Sequence, residues 1–333
     1  MLDAKKKEDR EFLLQELLNI FKRLYEDKDW IGPVFEERIR IAVEVLYTHP
    51  VAATIPDISR FFLDENFRDF LVCRLKYGDL SENVKQSIED VRNTDWGKEA
   101  GPYTTSKFTH YSRDTYLRLI TGQPDCKINI REIMDNKKIL LLNLPKGKIG
   151  ELNCSILGML ILSRLHLACM GRANMPEEKR NDFYCFIDEF QTFTTTRLAD
   201  ILSEARKYRL NMTLAHQHIS QLKQAIRDSV MGNIGTIMSF RIGPLDAILV
   251  EDYFTPYFNR HELVNLPYWH AICRLLIDSQ PSEPFMMKTV LDDIPVNENI
   301  AEEIIKNSRE RYARPVKEVE EIRNKIEHVY MNF

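Results

Sequence analysis

The sequence predicts an α/β protein with a mainly parallel sheet, an N-terminal all-α subdomain and a C-terminal helical tail. Three observations predict it. Residues 1–125 carry apolar side chains at helical spacing, with no strand-like run. Across 126–295, short apolar runs alternate with helical stretches, the pattern of βαβ units. Residues 296–333 are charged helix-formers interrupted by Pro315, a residue that cannot continue a helix.

In the first region, KEDREFLLQELLNIFKRLYED places Phe12, Leu13, Leu17, Leu18 and Phe21 on one helical face. A second helix runs through GPVFEERIRIAVEVLYTHP, opened by Gly32-Pro33 and closed by Pro50. TIPDISRFFLDENFRDFLVCRL gives two short helices, with Thr54 or Asp57 capping the first and Asp64 the second. SENVKQSIEDVRNT is a further helix capped by Ser81, and TGQPD (121–125) is a turn that marks a boundary. In the second region the predicted strands are 137–144, 183–187, 211–217, 234–242 and 271–277. The helices between them are 151–170, 196–209 and 219–230. The run FYCFI has no polar alternation, as in a strand buried on both faces of a parallel sheet.

At 333 residues, the chain accommodates one large domain or two to three smaller ones. Its net charge of −4 argues against a broadly basic nucleic-acid surface but permits a narrow basic channel. The six cysteines are scattered without a C-x-x-C pair, which reads as reduced thiols in a cytosolic protein. His216 and His218 would share a strand face, but no third ligand lies near in sequence, so a metal site there is disfavoured. The apolar stretch 154–170 is barely long enough to span a bilayer and contains Arg164 and His166. A buried helix is the expected reading.

The chemistry concentrates where FYCFI runs into Asp188 and Glu189. Ligands bind at the carboxyl ends of strands in open α/β sheets. An acid pair there suits a magnesium–nucleotide site. The first carboxylate holds Mg²⁺ and the second orients or deprotonates the attacking water. Taken alone, the pair reads equally well as a strand end followed by a helix cap. One βα unit later, NMTLAHQ ends at Gln217, whose amide can contact a γ-phosphate and the attacking water. Arg206, on the intervening helix, is a candidate arginine finger, although SEARKYR also reads as a solvated basic face. Arg241, at the end of IMSFRI, is a second candidate on the same rim. NLPKGKIGE (143–151) follows a strand and precedes a helix, but it is not G-x-x-x-x-G-K-[ST]. The chain contains no such Walker A motif.

The order of these motifs resembles the conjugative coupling ATPases of type IV secretion, the TraG/TraD class with its TraM-recognition region. That class lies within the HerA/FtsK-like P-loop ATPases. GPVFEERIRIAVEVLYTHPVAATIPDISRFFLDENFRDFLV resembles the all-α domain this family inserts between Walker A and Walker B. LLLNLPKGKIGELNCSILGMLILSRLHLACMGR resembles the strand, loop and helix before Walker B. FYCFIDEFQTFTTTRLADILSEARKYRLNMTLAHQHISQL is the most specific stretch, and GNIGTIMSFRIGPLDAILVEDYF and SRERYARPVKEVE are also similar to the family. The resemblance implies a RecA-like P-loop NTPase core over 126–295, incomplete because the Walker A strand and loop are missing. It implies an all-α subdomain over 1–125 and a tail over 296–333. It assigns Mg²⁺ to Asp188, water activation to Glu189, γ-phosphate sensing to Gln217 and a finger in trans to Arg206.

The implied function is ATP-driven DNA translocation in a conjugation or type IV secretion system. The implied cofactors are ATP and Mg²⁺. The implied partners are DNA in a channel, other copies in a hexameric ring, relaxosome or secretion-channel proteins, and the missing Walker A segment. The implied place is the cytoplasm, at the inner face of the cell membrane. Met1 falls where the insertion begins, so the chain is expected to be the C-terminal part of such a motor, unable to hydrolyse ATP alone. Loss of the central strand should leave neighbouring strands with unpaired edges and an exposed apolar face. The alternative is a non-catalytic protein- or DNA-binding module on a degenerate NTPase scaffold. A metal-dependent nuclease would need further carboxylates, which the sequence does not supply.

Overall fold

A computed structural model describes residues 7–25, 31–48, 54–73, 85–86, 96–195, 197–291 and 297–331. The chain divides into two compact units, Met1–Gly171 with Ile300–Phe333, and Arg172–Asn299.

The regular elements of the first unit are all helices among its described residues. Helices Lys7–Leu24, Pro33–Thr48, Ile55–Leu63 and Glu65–Cys73 follow the apolar spacing of the sequence. Thr54 and Asp57 form a capping box on the third, and Asp64 Oδ1 accepts from Phe67 N (3.0 Å) to start the fourth. The helix expected over SENVKQSIEDVRNT lies outside the described residues apart from 85–86. Phe21, Phe35, Phe108 and Tyr111 are fully buried together, with the Phe21 ring 4.6 Å from Phe108 and 5.7 Å from Tyr111.

The helix Glu151–Met170 completes this core. It is the one stretch among the described residues long and apolar enough to cross a membrane. Here it is a core helix, with Cys154, Ile156, Met159 and Leu165 buried, and Ser163 Oγ donates to the buried Glu16 (2.8 Å). Gly150 precedes it at φ +83°, a turn that a side chain would strain. The tail forms helices Glu298–Tyr312 and Val316–Met331, divided at Pro315 as expected. The second packs on Glu65–Cys73 and Thr115–Thr121. Arg314 fastens it, donating to Asp125 and to Gln123 Oε1 (2.8 Å).

The strand expected over 137–144 does not form. Extended backbone becomes a strand only by pairing, and no described strand pairs with it. Ile139, Leu141 and Leu142 are left 88%, 76% and 49% exposed.

The second unit holds all seven described strands. β1 (Phe183–Ile187) and β2 (Leu210–Leu214) pair in parallel, linked by helix Arg197–Glu204. β3 (Ile237–Ser239), β4 (His270–Arg274) and β7 (Phe285–Lys288) form an antiparallel sheet, and β5 (Leu276–Ile277) pairs with β6 (Gln280–Pro281). The expected mainly parallel sheet is therefore corrected to a small parallel pair beside an antiparallel sheet. The connection from β4 to β7 folds back through the β5–β6 hairpin. It contains no crossover helix, which a parallel partner requires.

The β1–β2 pair buries one face, where Ile187, Met212 and Leu214 pack on Phe190, Leu198, Ile226 and Val230. The other face is open, with Tyr184 at 64% and Phe186 at 74% exposure. Burial on both faces, expected of FYCFI, is thus corrected to burial on one.

Candidate functional site

Parallel pairing places the carboxyl ends of β1 and β2 side by side, with Ile187 opposite Leu214. Two backbone bonds extend this pairing beyond the strands, Ala215 N to Ile187 O (2.9 Å) and Phe190 N to Ala215 O (3.1 Å). The segments 188–190 and 215–217 are thereby stapled together. Phe190 is 1% exposed and anchors the turn in the core, with the His216 ring edge-on at 5.1 Å. Burial pushes the His216 imidazole below its ordinary pKa, favouring the neutral ring.

Asp188 is exposed at the tip of β1, and its Oδ1 accepts from Glu189 N (2.9 Å). Glu189 takes a left-handed conformation, φ 50° and ψ 42°. A non-glycine residue there is uncommon, and such outliers gather at functional turns. Its carboxylate is held from both sides. Gln217 Nε2 donates to Oε1 and Gln191 Nε2 donates to Oε2, each at 2.5 Å. The structure therefore brings together Asp188, Glu189 and Gln217.

Arg206 is elsewhere. It is exposed on the turn Ala205–Tyr208, just before β2 begins, at the opposite end of the pair from Asp188. The buried Arg172 fixes that turn, donating to Tyr208 O (2.8 Å). Arg241, expected on the same rim, instead follows β3 in the other sheet. Its guanidinium lies 4.6 Å over the Tyr268 ring.

Sequence reasoning missed two residues. Gln191 is the second clamp on Glu189. Asp246 is 5% exposed, accepts from Ser220 N (3.0 Å) and lies 3.5 Å from His218 Nδ1. It thus braces the loop that carries Gln217. The available signal was GPLD, a glycine–proline helix start with an acid in its first turn.

No group of three or more His, Cys, Asp or Glu among the described residues could hold a metal by itself. The site does suit Mg²⁺, which is commonly held by one or two carboxylates with water and phosphate oxygens. Asp188 offers such a carboxylate, exposed at the strand tip. The inward-facing Cys185 is no nucleophile, because burial raises its thiol to about 11.

Comparison with known proteins supports the TraG/TraD resemblance. Residues 182–246 match the family described as the TraM recognition site of TraD and TraG. That segment begins just before β1 and ends at Asp246, so it spans Asp188, Glu189, Gln191, Gln217 and the brace. No curated protein sequence matches the chain. Among solved structures, the fold is similar to the plasmid coupling protein TrwB in complex with the non-hydrolysable GTP analogue GDPNP. The TM-score is 0.53 at 15% identity, covering 88% of this chain and 71% of that one. It is also similar to the bacterial conjugative coupling protein TrwBdeltaN70 in complex with sulphate. Here the TM-score is 0.56 at 14% identity, covering 87% and 70%.

Proposed function

We propose that this chain, which is of the TraG/TraD class over residues 182–246 and has the fold of TrwB, is the Walker B-bearing part of a conjugative coupling protein. Its work would be ATP-driven DNA translocation. The carrying observation is the carboxylate pair at the end of a parallel strand, with Gln217 reaching Glu189 from the neighbouring strand end.

Asp188 would hold Mg²⁺, which when bound would neutralise charge developing on the nucleotide phosphates. Glu189 would accept the proton of the attacking water. Both its oxygens are occupied by glutamine amides, so it is a restrained base. Gln217 would release it on turning toward a γ-phosphate, coupling the base to the nucleotide's state. The TrwB complex with a GTP analogue supports nucleotide binding by this fold. Arg206, exposed and remote from Asp188, suits a role toward a neighbouring copy in a hexameric ring, while Arg241 is the second candidate. DNA would pass through the channel of that ring. The TraM-recognition match supports a relaxosome partner. The proposal places the protein in the cytoplasm, at the inner face of the membrane.

The sequence contains no G-x-x-x-x-G-K-[ST]. A phosphate loop must then come from another segment, and these 333 residues alone are not expected to hydrolyse ATP. That same fact favours the second reading, a binding module on an NTPase scaffold. Binding of Mn²⁺–ATP at millimolar concentrations, read by electron spin resonance, separates the two. Binding that weakens about tenfold in Asp188→Asn supports the nucleotide site, the loss of one charge-assisted metal contact being worth a factor of that order. Equal behaviour of both proteins would leave the binding module.

A further inference from the structure

The loop Pro267–His270 shows large aromatic side chains to solvent. Tyr268 is 76% exposed and Trp269 60%. A tryptophan in the left-handed region is unusual, and Trp269 has φ 65°. The backbone holds it there. Trp269 O accepts from Thr289 N (2.7 Å) and Thr289 Oγ1 (3.1 Å), and His270 N donates to Pro267 O (3.3 Å). His270 Nδ1 lies 2.9 Å from Tyr268 O. Buried Leu263 and Leu266 anchor the approach to the loop, and Ile242 N donates to Leu263 O (3.3 Å), tying in the segment that carries Arg241. The backbone of the tip is therefore tied down while its rings face solvent.

Two cations lie beside it. Arg241 stacks over Tyr268 at 4.6 Å. Lys288 is exposed and stands opposite His270 across the β4–β7 ladder, next to Thr289. Neither Arg241 nor Lys288 makes an ion pair among the described residues, in a chain whose net charge is −4.

We propose that Tyr268, Trp269 and Arg241 form a stacking platform for unpaired bases of a single-stranded nucleic acid, with Lys288 beside it for the phosphates. The π-faces take bases without regard to sequence, and the cations supply the salt-dependent part of the affinity. A base inside a duplex has both faces covered, so the platform selects single strands. The inference rests on the reading of the chain as a DNA-handling protein and names the form of its substrate. It makes no use of the nucleotide site.

The test is fluorescence anisotropy of the full chain with a labelled oligo(dT) of about 15 nucleotides, within the range of a single-strand site. A duplex of equal length and a salt series accompany it. The expected result is preference for the single strand, with Trp269→Ala and Tyr268→Ala each weakening it about tenfold. Trp269→Phe should retain most binding, which guards against simple unfolding, and Lys288→Ala should flatten the salt dependence. Oligo(dT) binding unchanged in all four variants overturns the platform while leaving DNA handling intact. Binding of duplex alone overturns it as well. No DNA bound at any salt overturns both readings. Exposed Val290 and Leu291 adjoin the tip. If the variants instead lower self-association in sedimentation and leave oligo(dT) binding unchanged, the tip is a contact between copies and the platform falls.

Discussion

Glu189 and Asp246 show how single carboxylates organise the site. Glu189 sits in a strained turn with both oxygens engaged, and Asp246 is buried beneath the loop that positions Gln217. Asp246→Ala leaves the Ser220 amide without its acceptor. Leaving such a group unsatisfied costs about 1–3 kcal/mol. Urea unfolding should show that loss, and Asp246→Asn, which keeps an acceptor oxygen, should show less. Equal losses would mean that the charge rather than the hydrogen bond holds the loop.

Asp114 illustrates a different case. It caps the helix Thr115–Thr121, accepting from Tyr116 N and Leu117 N at 2.9 Å each. Partial burial pushes its pKa up, but the hydrogen bonds from Leu117, Asn153 and Tyr116 outweigh it and leave the pKa below 3.8. A depressed carboxylate stabilises the fold above its unfolded value and loses that contribution as pH falls through the folded one. Asp114→Ala should cost about 1 kcal/mol at neutral pH. It should also flatten the acid limb of stability below pH 3.8. An unchanged acid limb would assign that limb to other carboxylates.

At the scale of elements, the open face of β1 is unusual for a parallel pair. Parallel sheets are normally covered on both faces, whereas Tyr184 and Phe186 stand exposed, opposite Asn211 and Thr213. Phe186→Lys should therefore raise solubility and lower binding of a hydrophobic dye, with thermal stability changed by less than about 0.5 kcal/mol, as for a surface site. A large loss of stability would show that Phe186 is covered in solution.

The same strand shows what was legible in the sequence. Its position and the acids at its end were readable, because an apolar run that breaks into adjacent charges fits little but a strand leaving the core at its carboxyl end. The helices Lys7–Leu24, Pro33–Thr48, Ile55–Leu63, Glu65–Cys73 and Glu151–Met170 and the caps at Thr54 and Asp64 were readable for the same local reason. Which strands would pair was not readable in general. KKILLLNL is as strand-like as FYCFI, yet only the second has a partner, and pairing is a property of two segments rather than one. Arg241 was misplaced for that reason too, since its strand joined an antiparallel sheet. Gln191 and Asp246 were hidden because polar residues in loops declare their partners only in three dimensions.

At the scale of the whole molecule, each unit has its own core, and this makes the stability of the chain divisible. The first is built on Phe21, Phe108, Tyr111 and the helix Glu151–Met170. The second is built on Phe190, Phe254, Leu263 and Ile272. A chain with two cores need not unfold in one step, and a single free energy then has no clear meaning. Two transitions in urea are the expected outcome. Phe108→Ala, in a fully buried aromatic cluster, should lower one of them by about 3–5 kcal/mol. Leu263→Ala, with its side chain fully buried, should lower the other by about 2–5 kcal/mol. Oligo(dT) binding should follow the second transition alone, because Arg241, Tyr268, Trp269 and Lys288 all belong to that unit. If both substitutions moved one shared transition, the two cores would be a single cooperative block.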